Sequence, residues 1–344
     1  MENALPIGDL VRVATDRALT VDEAELAFTE VMEGRATPVQ MAALLVALRV
    51  RGASPEEVAG GVRALRSAMV PVSATRPDEL VDTCGTGGGT LTTFNISTAA
   101  ALLTAAAGVR VAKHGNRSFT SRCGSADVLE SLGVRLDLTP EQEADVLERA
   151  GIVFMFAPLH HPAMRHVGPI RRELAMPTVM NILGPLSNPA GARRQVVGVS
   201  DPEMLELIAG ALRVLGHVRA LVVHGEPGMD ELSPLGATEI VELDGDGLSR
   251  WRFEPAQELG WSDGKGSDLS GATPEENARK VEAVLRGNLG GAARGAVTLN
   301  AAAALYVGGA VASLADGVAR AEAVLDAGEG WTRLEALRDA SRAA

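Results

Sequence analysis

Leu80-Val81-Asp82-Thr83-Cys84-Gly85-Thr86-Gly87-Gly88-Gly89 decides the fold. A short apolar run closes on a cluster of glycines, and Asn95-Ile96-Ser97-Thr98 then opens a long alanine-rich segment. Strand, glycine turn and helix make the first half of a βαβ unit. Downstream, short apolar runs at 109–111, 134–138, 152–156, 196–199, 220–223, 240–243 and 296–299 read as further strands. Helical patterns separate them, two opened by the capping boxes Thr139-Pro140-Glu141-Gln142 and Thr273-Pro274-Glu275-Glu276. Such alternation predicts a largely parallel sheet covered by helices. Upstream the rhythm is helical throughout. Capping boxes begin at Thr20, Thr37 and Ser54, and apolar residues such as Ala24, Phe28 and Val31 follow at helical spacing. The expectation is an α/β protein with a small all-helical domain over residues 1–70 and a large α/β domain, with a mostly parallel central sheet, over 71–344. Pro177, Pro185 and Pro189 break the strand rhythm, so about 168–192 is expected to rejoin the helical domain. Residues 244–273 read as a polar connection.

A chain of 344 residues holds roughly two domains. Its 32 basic and 44 acidic residues leave a net charge of −12, which argues against a nucleic-acid or anionic-membrane binder. Two cysteines, Cys84 and Cys123, are too few for a disulfide framework, and a reduced, cytoplasmic setting is expected. The N-terminus has no basic leader before an apolar core, so no signal peptide is read. The uncharged stretch 295–315 is interrupted by Thr298, Asn300 and Gly308-Gly309, and reads as a buried strand and helix rather than a membrane span.

Three constellations carry chemistry. In the glycine loop, backbone N–H groups can approach an anion closely, and the helix opening at Asn95 adds its dipole. An ordinary glycine turn with an N-cap fits the same residues. No lysine follows the glycines as in a Walker loop, and Thr90 stands where a dinucleotide fingerprint needs its last glycine. Next, Lys113-His114-Gly115-Asn116-Arg117-Ser118-Phe119-Thr120-Ser121-Arg122 follows the run 109–111. Consecutive parallel strands end side by side, so this basic, hydroxyl-rich loop is expected to face the glycines and to suit several phosphates. A solvated basic face is the plain alternative. Third, the adjacent carboxylates Asp230-Glu231 suit Mg²⁺, which takes one or two carboxylates and keeps its remaining sites for water and phosphate. Taken alone, they are a solvated loop. Arg171 suits a substrate carboxylate or, equally, a surface pairing with Glu173. His160, His161 and His166 lack a fourth ligand pattern for zinc. Cys84, with no adjoining base, reads as a small buried residue.

In this order, with His161-Pro162-Ala163-Met164, Asn181-Ile182-Leu183-Gly184-Pro185-Leu186 and Asn300-Ala301-Ala302-Ala303-Ala304-Leu305-Tyr306, these motifs resemble the anthranilate phosphoribosyltransferase family from end to end. The resemblance implies the nucleoside phosphorylase/anthranilate phosphoribosyltransferase-like fold and a homodimer. It also implies transfer of the phosphoribosyl group of phosphoribosyl pyrophosphate (PRPP) to anthranilate, with Mg²⁺. Carried over by position, Gly85, Gly88, Gly89, Thr93, Asn95, Ile96, Ser97, Thr98, Lys113, His114, Gly115, Asn116, Arg117, Ser118, Phe119, Thr120, Ser121 and Ser125 would bind PRPP. Gly85, Asn116 and Arg171 would position anthranilate, and Ser97, Asp230 and Glu231 would hold Mg²⁺. Two departures stand out: Gly89 replaces the family's usual Asp, and Pro177 precedes Thr178 where an Arg is usual. A pyrimidine nucleoside phosphorylase would share the architecture without needing the acid pair. A nucleic-acid-binding paralogue would want a basic surface.

Overall fold

A computed structural model describes residues 5–118, 123–261 and 264–344. Four helices come first: α1 (Ile7–Asp16), α2 (Val21–Met32), α3 (Pro38–Arg51) and α4 (Pro55–Ser67). The Thr20, Thr37 and Ser54 hydroxyls accept the N3 amides that open α2, α3 and α4. Then follow β1 (Val81–Gly85), α5 (Ile96–Ala106), β2 (Val111–Gly115), α6 (Ser125–Ser131), α7 (Pro140–Ala150) and β3 (Ile152–Phe156). Three helices, α8 (Ala157–His160), α9 (Met164–Leu174) and α10 (Met180–Leu183), precede β4 (Arg194–Gly198) and α11 (Met204–Val214). The chain continues through β5 (Arg219–Gly225), β6 (Thr238–Asp244), β7 (Gly247–Phe253) and α12 (Pro255–Glu258). It ends with α13 (Pro274–Leu285), α14 (Gly291–Val307), α15 (Leu314–Asp326) and α16 (Glu329–Ala343).

The seven strands lie in the order β3-β2-β1-β4-β5-β6-β7. From β3 to β5 all neighbours are parallel, and β6 and β7 add antiparallel edge strands. The register pairs Gly85 with Gly198 and Gly198 with Val223, so the loops after β1, β4 and β5 open from one edge of the sheet. From β1 the chain winds outward through β2 and β3 on one side and restarts at β4 on the other. Ligand crevices of open α/β sheets form at such a reversal, outside the carboxyl ends of the strands.

Alternate residues of the central strands feed two cores. Val196, Leu221, Val223 and Ile240 join the core under α5 and α14, while Val197, Val222, Val241 and Leu243 join the core of α1–α4 and α11. α9 packs on α2 and α3, and α10 on α4.

Four expectations about elements need correction. Residues 296–299 lie inside α14, because a short apolar run has the same composition in a strand as in a buried helix. Residues 134–138 alternate in burial but pair with no strand; Arg135 N–H instead donates to Ser341 Oγ of α16 at 3.1 Å. β2 begins at Val111 rather than Val109, so Lys113, His114 and Gly115 belong to the strand itself. The expected polar connection at 244–273 contains β7, joined to β6 by a two-residue turn at Gly245-Asp246, a Gly-Asp hairpin signal. No helix among the described residues is long and apolar enough to cross a membrane.

Candidate active site

The crevice at the strand reversal is floored by glycines because a side chain has no room there. A Cβ on Gly198 would lie 1.6 Å from the Asp230 carbonyl oxygen, and one on Gly85 would lie 2.7 Å from Asp230 Oδ2. Asp230-Glu231 therefore rests directly on the ends of β1 and β4. Gly87 and Gly88 have φ of 68° and 84°, which side chains rarely adopt, and this turns the loop back over the acid pair. Asn300 of α14 holds the acid loop from behind, accepting Leu232 N–H at 3.0 Å and donating to the Leu232 carbonyl at 2.9 Å.

Both acids engage backbone donors that the sequence reading reserved for an anion. Gly87 N–H donates to Asp230 Oδ2 at 2.9 Å, and Ser97 N–H donates to Glu231 Oε1 at 3.1 Å. The Thr93 hydroxyl reaches Glu231 Oε2 at 3.4 Å. Glu231 thus sits at the N-terminus of α5, the place an anion favours. Burial pushes both carboxyls up, Glu231 well above its ordinary value, and the charge of Asp230 adds to the shift at Glu231. Two adjacent half-buried carboxylates of this kind suit a cation. The donors around them are all oxygen, from two carboxylates and the Ser97 and Thr93 hydroxyls, which fits Mg²⁺.

Lys113 supplies the fixed positive charge. Its Nζ donates to the Thr83 carbonyl and, at 3.2 Å, to Ser97 Oγ. Burial lowers its pKa, against the pull of Asp82, Cys84 and Glu231. Asp82, fully buried, accepts Asn188 Nδ2 at 2.8 Å, Gln195 Nε2 at 3.2 Å and the His114 amide at 3.2 Å, so it locks β2 beside β1. Sequence reading missed Asp82, Asn188 and Gln195. Polar residues within apolar or loop stretches were the available signal.

Other expected residues are placed unevenly. Ile96 is fully buried in the core and spends its N–H on Phe94, so it has little to offer a ligand. Thr98 is buried with Oγ1 unpartnered among the described residues. Asn95 does not cap α5; its Oδ1 accepts Asn277 Nδ2 of α13 at 3.0 Å. Gly88 is exposed, and Gly89 packs toward the turn at Gly228. Gly115 and Ser125 pack together at the end of β2, and the Ser125 hydroxyl donates to the Asn116 carbonyl at 3.3 Å. Arg117 is paired with Asp127 and Glu130, and the Ser118 amide points to Asp127 at 3.4 Å. Arg110 lies at the opposite end of β2 from the basic loop, bound to Thr75 and Glu148. Phe119, Thr120 and Ser121 lie outside the described residues.

Arg171 on α9 is half-buried; its Nη2 lies 3.5 Å from Asn181 Oδ1, with no carboxylate in ion-pair reach among the described residues. The same arm approaches β2 through His161, whose Nε2 lies 3.2 Å from His114 Nε2. His160 faces Glu143 and His166 packs at Gly34, so the three histidines do not converge as zinc ligands would. Cys84 donates weakly to the Pro185 carbonyl at 3.5 Å, and burial holds its thiol well up, against a nucleophilic role.

Known proteins share this two-part architecture. Residues 10–69 match the helical bundle domain of a glycosyl transferase family, and residues 77–331 match its a/b domain. The anthranilate phosphoribosyltransferases of Rubrobacter xylanophilus and Thermomicrobium roseum are each 49% identical, over 97% of this chain and 96% of theirs. The chain belongs to the anthranilate phosphoribosyltransferase family. The crystal structure of the family member from Thermus thermophilus superposes with a TM-score of 0.91 at 45% identity, covering 97% of this chain and 99% of that one. The Saccharomyces cerevisiae anthranilate phosphoribosyltransferase in complex with PRPP and Mg superposes with a TM-score of 0.88 at 25% identity, covering 98% of both chains.

Proposed function

We infer that the chain transfers the 5-phosphoribosyl group of PRPP to the amino nitrogen of anthranilate, releasing diphosphate, as a step of tryptophan biosynthesis. The observation that carries this is the half-buried acid pair Asp230-Glu231, seated between the glycine loop and the start of α5 with Lys113 alongside, in a member of this family. Ser97, Asp230 and Glu231 would hold Mg²⁺, which when bound neutralises charge on the leaving diphosphate. Lys113 and the amides of Gly85, Gly88 and Gly89 would stabilise the same charge from the protein side. His114, Asn116 and the hydroxyls of Thr93 and Ser125 would orient PRPP. Asn116 and Arg171 would fix anthranilate, Arg171 by a fork on its carboxylate.

The C–N bond forms at ribose C1 as the C1–O bond breaks, and diphosphate leaves with the electron pair. An aniline nitrogen attacks without prior deprotonation and loses its proton afterwards, so no general base is assigned. Positioning carries the catalysis, worth about 7–11 kcal/mol in well-oriented reactions. Residues 1–70 with about 168–192 would act as the anthranilate-side arm, and 71–344 as the PRPP-binding domain. A cytoplasmic homodimer completes the proposal; a monomeric mass in sedimentation would remove the dimer.

Loss of anthranilate fluorescence tests the reaction. It should require both PRPP and Mg²⁺. Phosphorolysis of a pyrimidine nucleoside with inorganic phosphate, and no loss of anthranilate, would overturn the reading.

A further inference from the structure

The chain crosses between the helical bundle and the α/β unit at three places: 68–72 after α4, 160–164 between α8 and α9, and 184–190 after α10. His160 joins the first two. Val70 N–H donates to the His160 carbonyl at 2.8 Å, and His160 Nδ1 lies 2.8 Å from the Val70 carbonyl oxygen. The other ring nitrogen, Nε2, lies 3.0 Å from Glu143 Oε2 and 3.1 Å from Oε1. Val72 N–H donates to the Pro189 carbonyl at 3.0 Å, which ties the third crossing to the same point. Glu143 comes from α7, on the α/β side, and the side chains of Glu143 and His160 are 0% and 1% exposed.

A buried carboxylate–imidazole pair is a poor source of stability, because desolvation consumes most of the attraction; its better-attested use is to fix register. Here the element it registers leads straight to the site. The next residue, His161, turns its ring the other way onto His114, and α9 then carries Arg171. We propose that Glu143 and His160 are positioning residues for the transfer: by clamping Val70 to α8 they fix where the α9–α10 arm stands over the PRPP side of the crevice. This rests on the function proposed above.

The groups facing His160 are Glu143 on α7, His161 beside it, and His114 on β2. Burial lowers the His160 pKa, but the hydrogen bond and charge of Glu143 outweigh it and hold His160 above its ordinary value. Burial and the charge of His160 bring His161 down to about 4. Protonated His160 satisfies both acceptors, the Val70 carbonyl and the Glu143 carboxylate. The clamp is therefore complete while Glu143, itself pushed up by burial, is ionised and His160 is protonated, and it weakens as pH rises through the raised His160 pKa.

The test is steady-state kinetics and amide hydrogen exchange on wild type, Glu143→Gln and His160→Gln. We expect kcat/KM for anthranilate to fall about tenfold or more while KM for PRPP stays within twofold. The alkaline limb of the pH profile should move to lower pH in Glu143→Gln, and the Val70 amide should exchange faster in both variants. Equal losses for the two substrates, an unmoved pH limb, or unchanged Val70 exchange would overturn the proposal. If His160→Gln does not fold, Glu143→Gln decides alone; if Glu143→Gln does not fold, loss of the alkaline limb in His160→Gln supports the proposal and its persistence overturns it. A wild type that consumes no anthranilate would instead overturn the proposed function, and Val70 exchange would still show whether the clamp exists.

Discussion

Asp230 and Glu231 are held where they are costly. Each is half-buried, each is pushed up by desolvation, and their main compensation from the protein is a few N–H and O–H donors and Lys113. Residues kept at such cost serve function more than stability. Asp230→Ala with Glu231→Ala should therefore give a folded protein, at least as heat-stable as wild type, with little Mg²⁺-dependent activity and no thermal shift on adding Mg²⁺. Wild-type turnover would remove the metal role. Arg171→Ala should raise KM for anthranilate about 10- to 150-fold, the equivalent of a charge-assisted hydrogen bond of ~1.5–3 kcal/mol, and spare PRPP. A change confined to PRPP would move Arg171 to the phosphate side. Gly89 departs from its family's pattern, and the structure gives a reason to leave it so. Its φ is not positive, but a Cβ there would lie 2.9 Å from the Gly228 carbonyl oxygen and 3.5 Å from Asp230 Oδ1. Gly89→Asp would crowd that turn and set a like charge beside Asp230, so kcat/KM for PRPP should fall or stay level. A tenfold gain would show that the loop lacks only a contact.

Among the elements, the capping boxes illustrate how a local signal acquires a second use. Glu57 closes the box of α4 by accepting Ser54 N–H at 2.8 Å, as its spacing predicts. It also accepts Leu19 N–H at 2.8 Å and pairs with Arg51, and it is fully buried. Glu57→Ala should thus cost about 3–5 kcal/mol, the penalty for breaking a buried pair, measured by denaturant unfolding. Thr20→Ala, which removes an exposed cap, should cost only ~1 kcal/mol. Equal losses would mean that the tertiary bonds of Glu57 add nothing to its cap. The box itself was legible in the sequence. Its tertiary partners were not, because Leu19 is 38 residues away from Glu57 along the chain.

For the molecule as a whole, the two cores share one sheet. α11 and one face of β4, β5 and β6 belong to the same apolar cluster as α1–α4, so the helical bundle has no separate interior of its own. Calorimetry should then show a single unfolding transition despite the two-part architecture. Two resolved transitions would mean that the bundle folds alone.

The sequence by itself determined what local chemistry can write. Caps and helical spacing marked the bundle, β-branched runs marked most strands, and glycines, basic residues and adjacent acids marked the site loops. It misread the run 296–299, where alanines and β-branched neighbours suit a strand or a buried helix equally, and 134–138, where alternation meant burial against α16 without a ladder. Only tertiary structure decided that Asp230 and Glu231 use N–H groups of the glycine loop and of α5, that Arg110 faces the far end of β2, and that His160 reaches Glu143. Those outcomes depend on which strand ends lie together and how closely backbones approach. Strand order and packing fix them through contacts between residues far apart in the chain, which no local pattern encodes.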